Sequence, residues 1–137
     1  MTIVFKTIVF AIDGSRESRE AAETVAKLVK TCKSRLVLVS VVEPPKPEEK
    51  PDRMNSPEAI AELLKGAREL FAAQEIDSEA IEREGMPSFT ICDVADEVEA
   101  DLIVMGTRGL TLTEEGAAES VTNRVISLSP CPVLVIP

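Results

Sequence analysis

Leu102-Ile103-Val104-Met105-Gly106-Thr107-Arg108-Gly109 is the stretch that decides the fold. Four apolar residues in an unbroken run mark a strand buried on both faces, and two glycines then open a loop with wide backbone freedom. A second apolar run, Val133-Leu134-Val135-Ile136, follows after one helix length, so the segment reads as strand, glycine loop, helix, strand. Such a loop suits an anion, because backbone N–H groups can approach it and the following helix N-terminus adds partial positive charge.

Working outward, Thr7 to Ile12 is a buried strand that Asp13-Gly14-Ser15 breaks. Ser18, Ala21, Ala22, Val25, Ala26, Leu28 and Val29 keep one face apolar or small, which predicts a helix over about 16–31 with Ser15 as its cap. Leu36 to Val42 is the second strand. Prolines 44, 45, 47, 51 and 57 punctuate a polar segment over 43–57 that fits neither a helix interior nor a central strand, so an exposed loop is expected. Ser56-Pro57-Glu58 then starts a second helix, with Ile60, Leu63, Leu64, Ala67, Leu70 and Phe71 as its buried face.

Ile76 to Arg83 is polar and charged, which suits an edge strand without demanding one. Gly85-Met86-Pro87 ends it. Ile91, Val94, Ala95 and Val98 place a third helix over about 88–99, and a fourth is expected over about 119–128, stopped by Ser129-Pro130. Five strands alternating with four helices predict one α/β domain over 1–137, a doubly wound parallel sheet covered on both faces. Ligands of such sheets lie where the strand order reverses.

Composition narrows the function classes. At 137 residues the chain is long enough to bury a real core, and with only 3% aromatic residues that core must be aliphatic. A net charge of -9 argues against a nucleic-acid partner, since such binding draws on clustered Lys and Arg. Lys27, Lys30, Lys33 and Arg35 do cluster, and complementing a helix C-terminus explains them. Three dispersed cysteines and no histidine suggest neither a disulfide framework nor a zinc site and fit a reducing cytoplasm. The apolar stretch from Ile8 to Ile12 is too short for a signal sequence, and no run approaches membrane-spanning length.

Four segments resemble the universal stress protein family across essentially the whole chain. They are Thr7 to Ser15, Val41-Val42-Glu43-Pro44, Ala100 to Gly109, and Pro130-Cys131-Pro132-Val133-Leu134-Val135-Ile136. The resemblance implies the strand order 3-2-1-4-5, an adenine nucleotide alpha hydrolase-like fold, and, in members that bind it, ATP across the C-terminal ends of strands 1 and 4. The nucleotide-binding members carry Gly-x2-Gly-x9-Gly-Ser/Thr. Gly106 and Gly109 match its first two glycines, Glu119 stands at the third, and Ser120 matches the hydroxyl position, with Val121 and Thr122 continuing into the helix. Carried over by position, the cofactor-binding candidates are Asp13, Ser15, Val41, Gly106, Arg108, Gly109, Glu119, Ser120, Val121 and Thr122, and the cofactor would be ATP or AMP, with Mg if ATP.

Glu119 changes that expectation. In binding members the third glycine lets the backbone approach phosphate, whereas a glutamate adds bulk and a like charge. Two like unit charges 4 Å apart repel by roughly 4 kcal/mol at an effective dielectric near 20, or about 1 kcal/mol in water. The helix N-terminus returns only about 0.3 to 1 kcal/mol. Glu114 and Glu115 add negative charge, and no Lys or Arg lies between Leu110 and Asn123. Weak or absent ATP binding is therefore expected.

Duller roles stand beside these. Asp13 can end a strand with a local hydrogen bond, Val41 can be core, Ser120 can cap the fourth helix, and Glu114 and Glu115 can form a solvated face. The family often pairs through its last strand, so a homodimer through Val133 to Ile136 is expected, and a nucleotide-independent dimeric interaction module remains a second possibility. An enzyme beyond slow ATP hydrolysis has little support: there is no histidine base, Gly-x-Ser-x-Gly elbow or Cys-x-x-Cys.

Overall fold

The computed structural model describes residues 4–13, 16–43, 56–106 and 117–137, with the side chains at 16–17 and 117–120 outside that description. Among the described residues, nine elements alternate along the chain. They are β1 (Thr7–Ala11), α1 (Arg16–Cys32), β2 (Arg35–Val42), α2 (Pro57–Ala72), β3 (Ser78–Glu84), α3 (Pro87–Glu97), β4 (Leu102–Gly106), α4 (Ala117–Leu128) and β5 (Val133–Ile136). The strands form one parallel sheet in the order β3-β2-β1-β4-β5. The 3-2-1-4-5 order that the resemblance implied is the observed one. Most of the Pro-rich segment lies outside the described residues.

Period-two alternation divides the apolar strands between two faces. Ile8, Phe10, Leu36, Leu38, Leu102 and Val104 point to one side, where they meet Val25 of α1 and Ile60, Leu64 and Phe71 of α2. The rings of Phe10 and Phe71 meet edge to face, 6.4 Å apart. Val9, Val37, Val39, Ile103 and Met105 point to the other, against Ile91 and Val94 of α3 and Val125 of α4. β1 and β4 are buried along their whole length. Continuous apolar runs are needed there because helices cover both faces.

Two expectations need correction. Leu70 is 46% exposed: it lies one residue off the stripe defined by Ile60, Leu64 and Phe71. Arg35 does not serve a helix terminus. It opens β2 and forms a two-pronged ion pair with Glu79 of the edge strand, its Nη2 2.9 Å from Oε1. This hydrogen-bonded partner holds the Glu79 carboxyl below its ordinary value. The contribution is present above the unfolded carboxylate pKa and disappears as pH falls through the lowered folded one, and it is small because both side chains are about half exposed. β3 itself pairs with β2 along seven residues, Leu36↔Ser78 to Val42↔Glu84, despite its charged composition.

Three helix-to-strand turns share one device. Lys33, Glu75 and Glu99 adopt left-handed φ values of 53°, 63° and 55°. In each case the next N–H donates to a carbonyl five residues back: Ser34 to Val29, Ile76 to Phe71, Ala100 to Ala95. These are Schellman-type ends, built without the glycine that usually occupies the turn. A left-handed side chain costs about 1–2 kcal/mol, whereas glycine adds about 0.5–1 kcal/mol of unfolded-state entropy. Glu99→Gly is accordingly expected to raise unfolding free energy by about 0.5–1 kcal/mol in urea titrations with an unchanged m-value. A lower midpoint would show that the Glu99 side chain does more than occupy the turn.

Candidate functional site

The strand order creates a reversal between β1 and β4. From β1 the chain crosses by α1 to β2 on one face, and from β4 it crosses by α4 to β5 on the other. The crossovers that follow β1 and β4 thus go to opposite faces, and it is at the C-terminal ends of two such strands that open α/β sheets place their ligand crevice. Val9↔Ile103 and Phe10↔Val104 fix that register. Asp13 follows the end of β1, and Gly106 ends β4.

Asp13 is half-buried and locked to α1. Its backbone N–H donates to Ser18 Oγ at 3.1 Å, and the same hydroxyl donates to Asp13 Oδ1 at 3.0 Å. The local hydrogen-bonding role is thus real, and it orients the carboxylate. On the strand side, Ile12 N–H donates to the Val39 carbonyl at 2.9 Å and the Ile12 carbonyl accepts from Ser40 Oγ at 2.8 Å. Ser40 and Ser18 were not among the sequence candidates as anchors. The available signal was a lone hydroxyl inside the apolar run Leu36 to Val42.

The remaining candidates divide clearly. Val41, 6% exposed, packs in the cluster on the α3/α4 face, close behind the end of β2. Val121 packs against that same cluster and Thr122 is buried at 8% exposure. Gly106 is buried at the end of β4, paired with Ile136. Ser15, Arg108 and Gly109 lie outside the described residues, as do Glu114 and Glu115. Glu119 and Ser120 are described only as backbone within α4. Because α4 begins at Ala117, Ser120 falls inside its first turn and does not cap it.

Elsewhere the surface is less promising. Two hollows of about 460 and 660 Å³ flank the start of β3, far from the reversal of strand order. Lys30 and Lys33 face Glu75 and Asp77 in the first, so neither sign of charge dominates. Cys92 is buried and Cys131 half-buried. Burial raises both thiols above their ordinary pKa, which lowers their thiolate fraction and their reactivity. Among the described residues, no group of three or more His, Cys, Asp or Glu is placed to hold a metal, and no helix is long and apolar enough to cross a membrane.

Removing the hydroxyl that holds Asp13 tests the lock. Ser18→Ala is expected to lower stability by about 1.5–3 kcal/mol, the range for a hydrogen bond to a charged group, with the loss read by thermal melting. An unchanged melting temperature would mean that solvent replaces the hydroxyl without consequence.

Comparison with known proteins adds ancestry to this geometry. The model of the universal stress protein family matches residues 5–137. Universal stress protein Sll1654 of Synechocystis sp. is 64% identical over 137 residues, covering 98% of this chain and 87% of its own. A universal stress protein solved in complex with cAMP shares 24% identity at a TM-score of 0.76, covering 98% of each chain. The universal stress protein of Archaeoglobus fulgidus in complex with dAMP shares 23% identity at 0.73, covering 98% of this chain and 99% of its own. At these identities the two solved structures speak for the fold.

Proposed function

Because the chain belongs to the universal stress protein family, we propose that it is a small-molecule-binding domain of the stress response whose crevice accepts an adenine nucleoside or monophosphate and disfavours ATP. The observation that carries this is the locked Asp13 carboxylate at the end of β1, beside β4, whose last residue is the first glycine of the phosphate loop. Asp13 and Val41 supply the adenosine end of the site. Gly106, Arg108, Gly109, Ser120, Val121 and Thr122 supply the phosphate end.

Glu119 sets the preference at that end. α4 starts at Ala117, so the glutamate belongs to the helix's first turn, where the phosphoryl groups of a bound triphosphate would meet it. Each added phosphate brings more negative charge toward this carboxylate, and only a divalent cation such as Mg bridging the two would offset the repulsion. The net penalty corresponds to between about one and nearly three decades in dissociation constant. A monophosphate ends short of that region. The relatives solved with cAMP and dAMP supply suitable probes. Catalysis is confined to slow ATP hydrolysis at most, and three free thiols favour a cytoplasmic setting.

Calorimetric titration with AMP, cAMP and Mg-ATP tests the proposal. AMP is expected to bind at least about tenfold more tightly than ATP, and Glu119→Gly to raise ATP affinity by about ten- to several-hundredfold while AMP affinity stays within about threefold. Tight ATP binding that Glu119→Gly leaves unchanged would overturn the preference, and failure of all three ligands at millimolar concentration would overturn nucleotide binding itself.

A homodimer through β5 belongs to the same proposal. β5 is a sheet edge whose four apolar residues are only partly covered, with Leu134 at 36% exposure, and Ile126 and Leu128 of α4 are exposed as well. An apolar edge with unpaired backbone groups favours pairing with a second copy across a two-fold axis. The same pairing would serve an interaction module that needs no nucleotide. Light scattering at working concentration is expected to give a dimer, and Leu134→Lys a folded monomer. A monomeric wild-type chain would remove both forms of this pairing.

A further inference from the structure

We propose that Ser40 is a positioning residue for the nucleotide crevice, acting through the peptide plane that joins Ile12 to Asp13. The inference rests on the adenine-nucleotide reading for its functional half and on geometry alone for its structural half. Ser40 is the one polar residue in β2 between Leu36 and Val42, and it is 2% exposed. A buried hydroxyl in an apolar strand needs a partner, and here that partner is the Ile12 carbonyl at 2.8 Å.

A peptide group is planar, so the carbonyl of Ile12 and the N–H of Asp13 turn together. That N–H is held by Ser18 Oγ at 3.1 Å. One rigid plane is therefore clamped at both ends by two serine hydroxyls, Ser40 from the central sheet and Ser18 from α1. The Val39 carbonyl fixes the preceding Ile12 N–H at 2.9 Å. Three points of attachment leave the backbone at Asp13 little rotation, and its carboxylate, whose Oδ1 accepts from Ser18 Oγ at 3.0 Å, is held on that fixed base at the C-terminal end of β1.

Without Ser40 the Ile12 carbonyl end of the plane loses its hydroxyl partner, while the Asp13 end is still held by Ser18. The plane can then rotate more freely about the bonds on either side, which loosens the base from which the carboxylate projects. The sheet loses no ladder bond in this change, because the hydroxyl is a side-chain donor. Affinity should therefore fall more than overall folding suffers.

The test compares Ser40→Ala with wild type, and Ser40→Val with Ser40→Thr. The second pair shares its shape and differs only in the hydroxyl, so it isolates the hydrogen bond even if the added methyl disturbs packing. Two readouts are taken: amide hydrogen exchange at Asp13 without nucleotide, with Val37 as the internal control, and AMP affinity by calorimetry. Ser40→Ala and Ser40→Val are expected to speed Asp13 exchange and weaken AMP binding by about tenfold, one lost hydrogen bond. Ser40→Thr should match wild type within about threefold, and Val37 exchange should not change.

Equal exchange at Asp13 in the valine and threonine variants would overturn the clamp. Faster exchange with unchanged AMP affinity would overturn its functional role. A wild-type chain that binds no AMP, yet shows hydroxyl-dependent exchange at Asp13, would overturn the nucleotide reading while upholding the clamp.

Discussion

Side-by-side pairing of β1 with β4 is the constraint from which the rest of the molecule follows. The two strands are parallel, buried throughout, and joined to their other neighbours by crossovers on opposite faces. Burial on both faces demands unbroken aliphatic runs and rules out polar groups that lack partners. The opposed crossovers mark the point where ligand crevices form in such sheets. The core and the crevice are consequences of one arrangement, since the strands that hold the interior together also end at the site.

The crevice inherits rigidity from that interior. Asp13 lies one residue past Ile12, whose side chain belongs to the aliphatic cluster on the α1/α2 face. Hydroxyls on β2 and α1 hold the connecting backbone from either side. Polar groups at this boundary are paired within the chain, so the carboxylate is pre-oriented without a ligand. Such pre-orientation lowers the entropy lost on binding. In sequence, Glu119 stands where the family's nucleotide-binding pattern has its third glycine.

Edges are treated differently at the two ends of the sheet. β3 carries Glu79, Glu82, Arg83 and Glu84, and ion pairs tie it inward to Arg35 of β2 and Glu97 of α3. Charge on an edge discourages pairing with other strands. β5 bears only aliphatic residues. The two edges thus differ in charge and in apolar exposure.

Much of this was legible in the residues. Continuous apolar runs named β1, β2, β4 and β5, and the Ser56-Pro57-Glu58 cap located α2, where Ser56 Oγ accepts from Ala59 N–H. Composition hid what depended on neighbours. Leu70 matched a helical stripe but faces solvent, because the sheet covers a narrower arc of α2 than the pattern suggested. Arg35 found Glu79 only once β2 and β3 were adjacent. The start of α4 at Ala117 moved Ser120 off its cap. By itself the sequence determined the elements, the family and the identity of the residue at the third glycine position, since these rest on local periodicity and motif spacing. Tertiary structure alone decided that Ser40 and Ser18 grip one peptide plane, because residues 22 positions apart in sequence meet only when the strand and helix around Asp13 have packed.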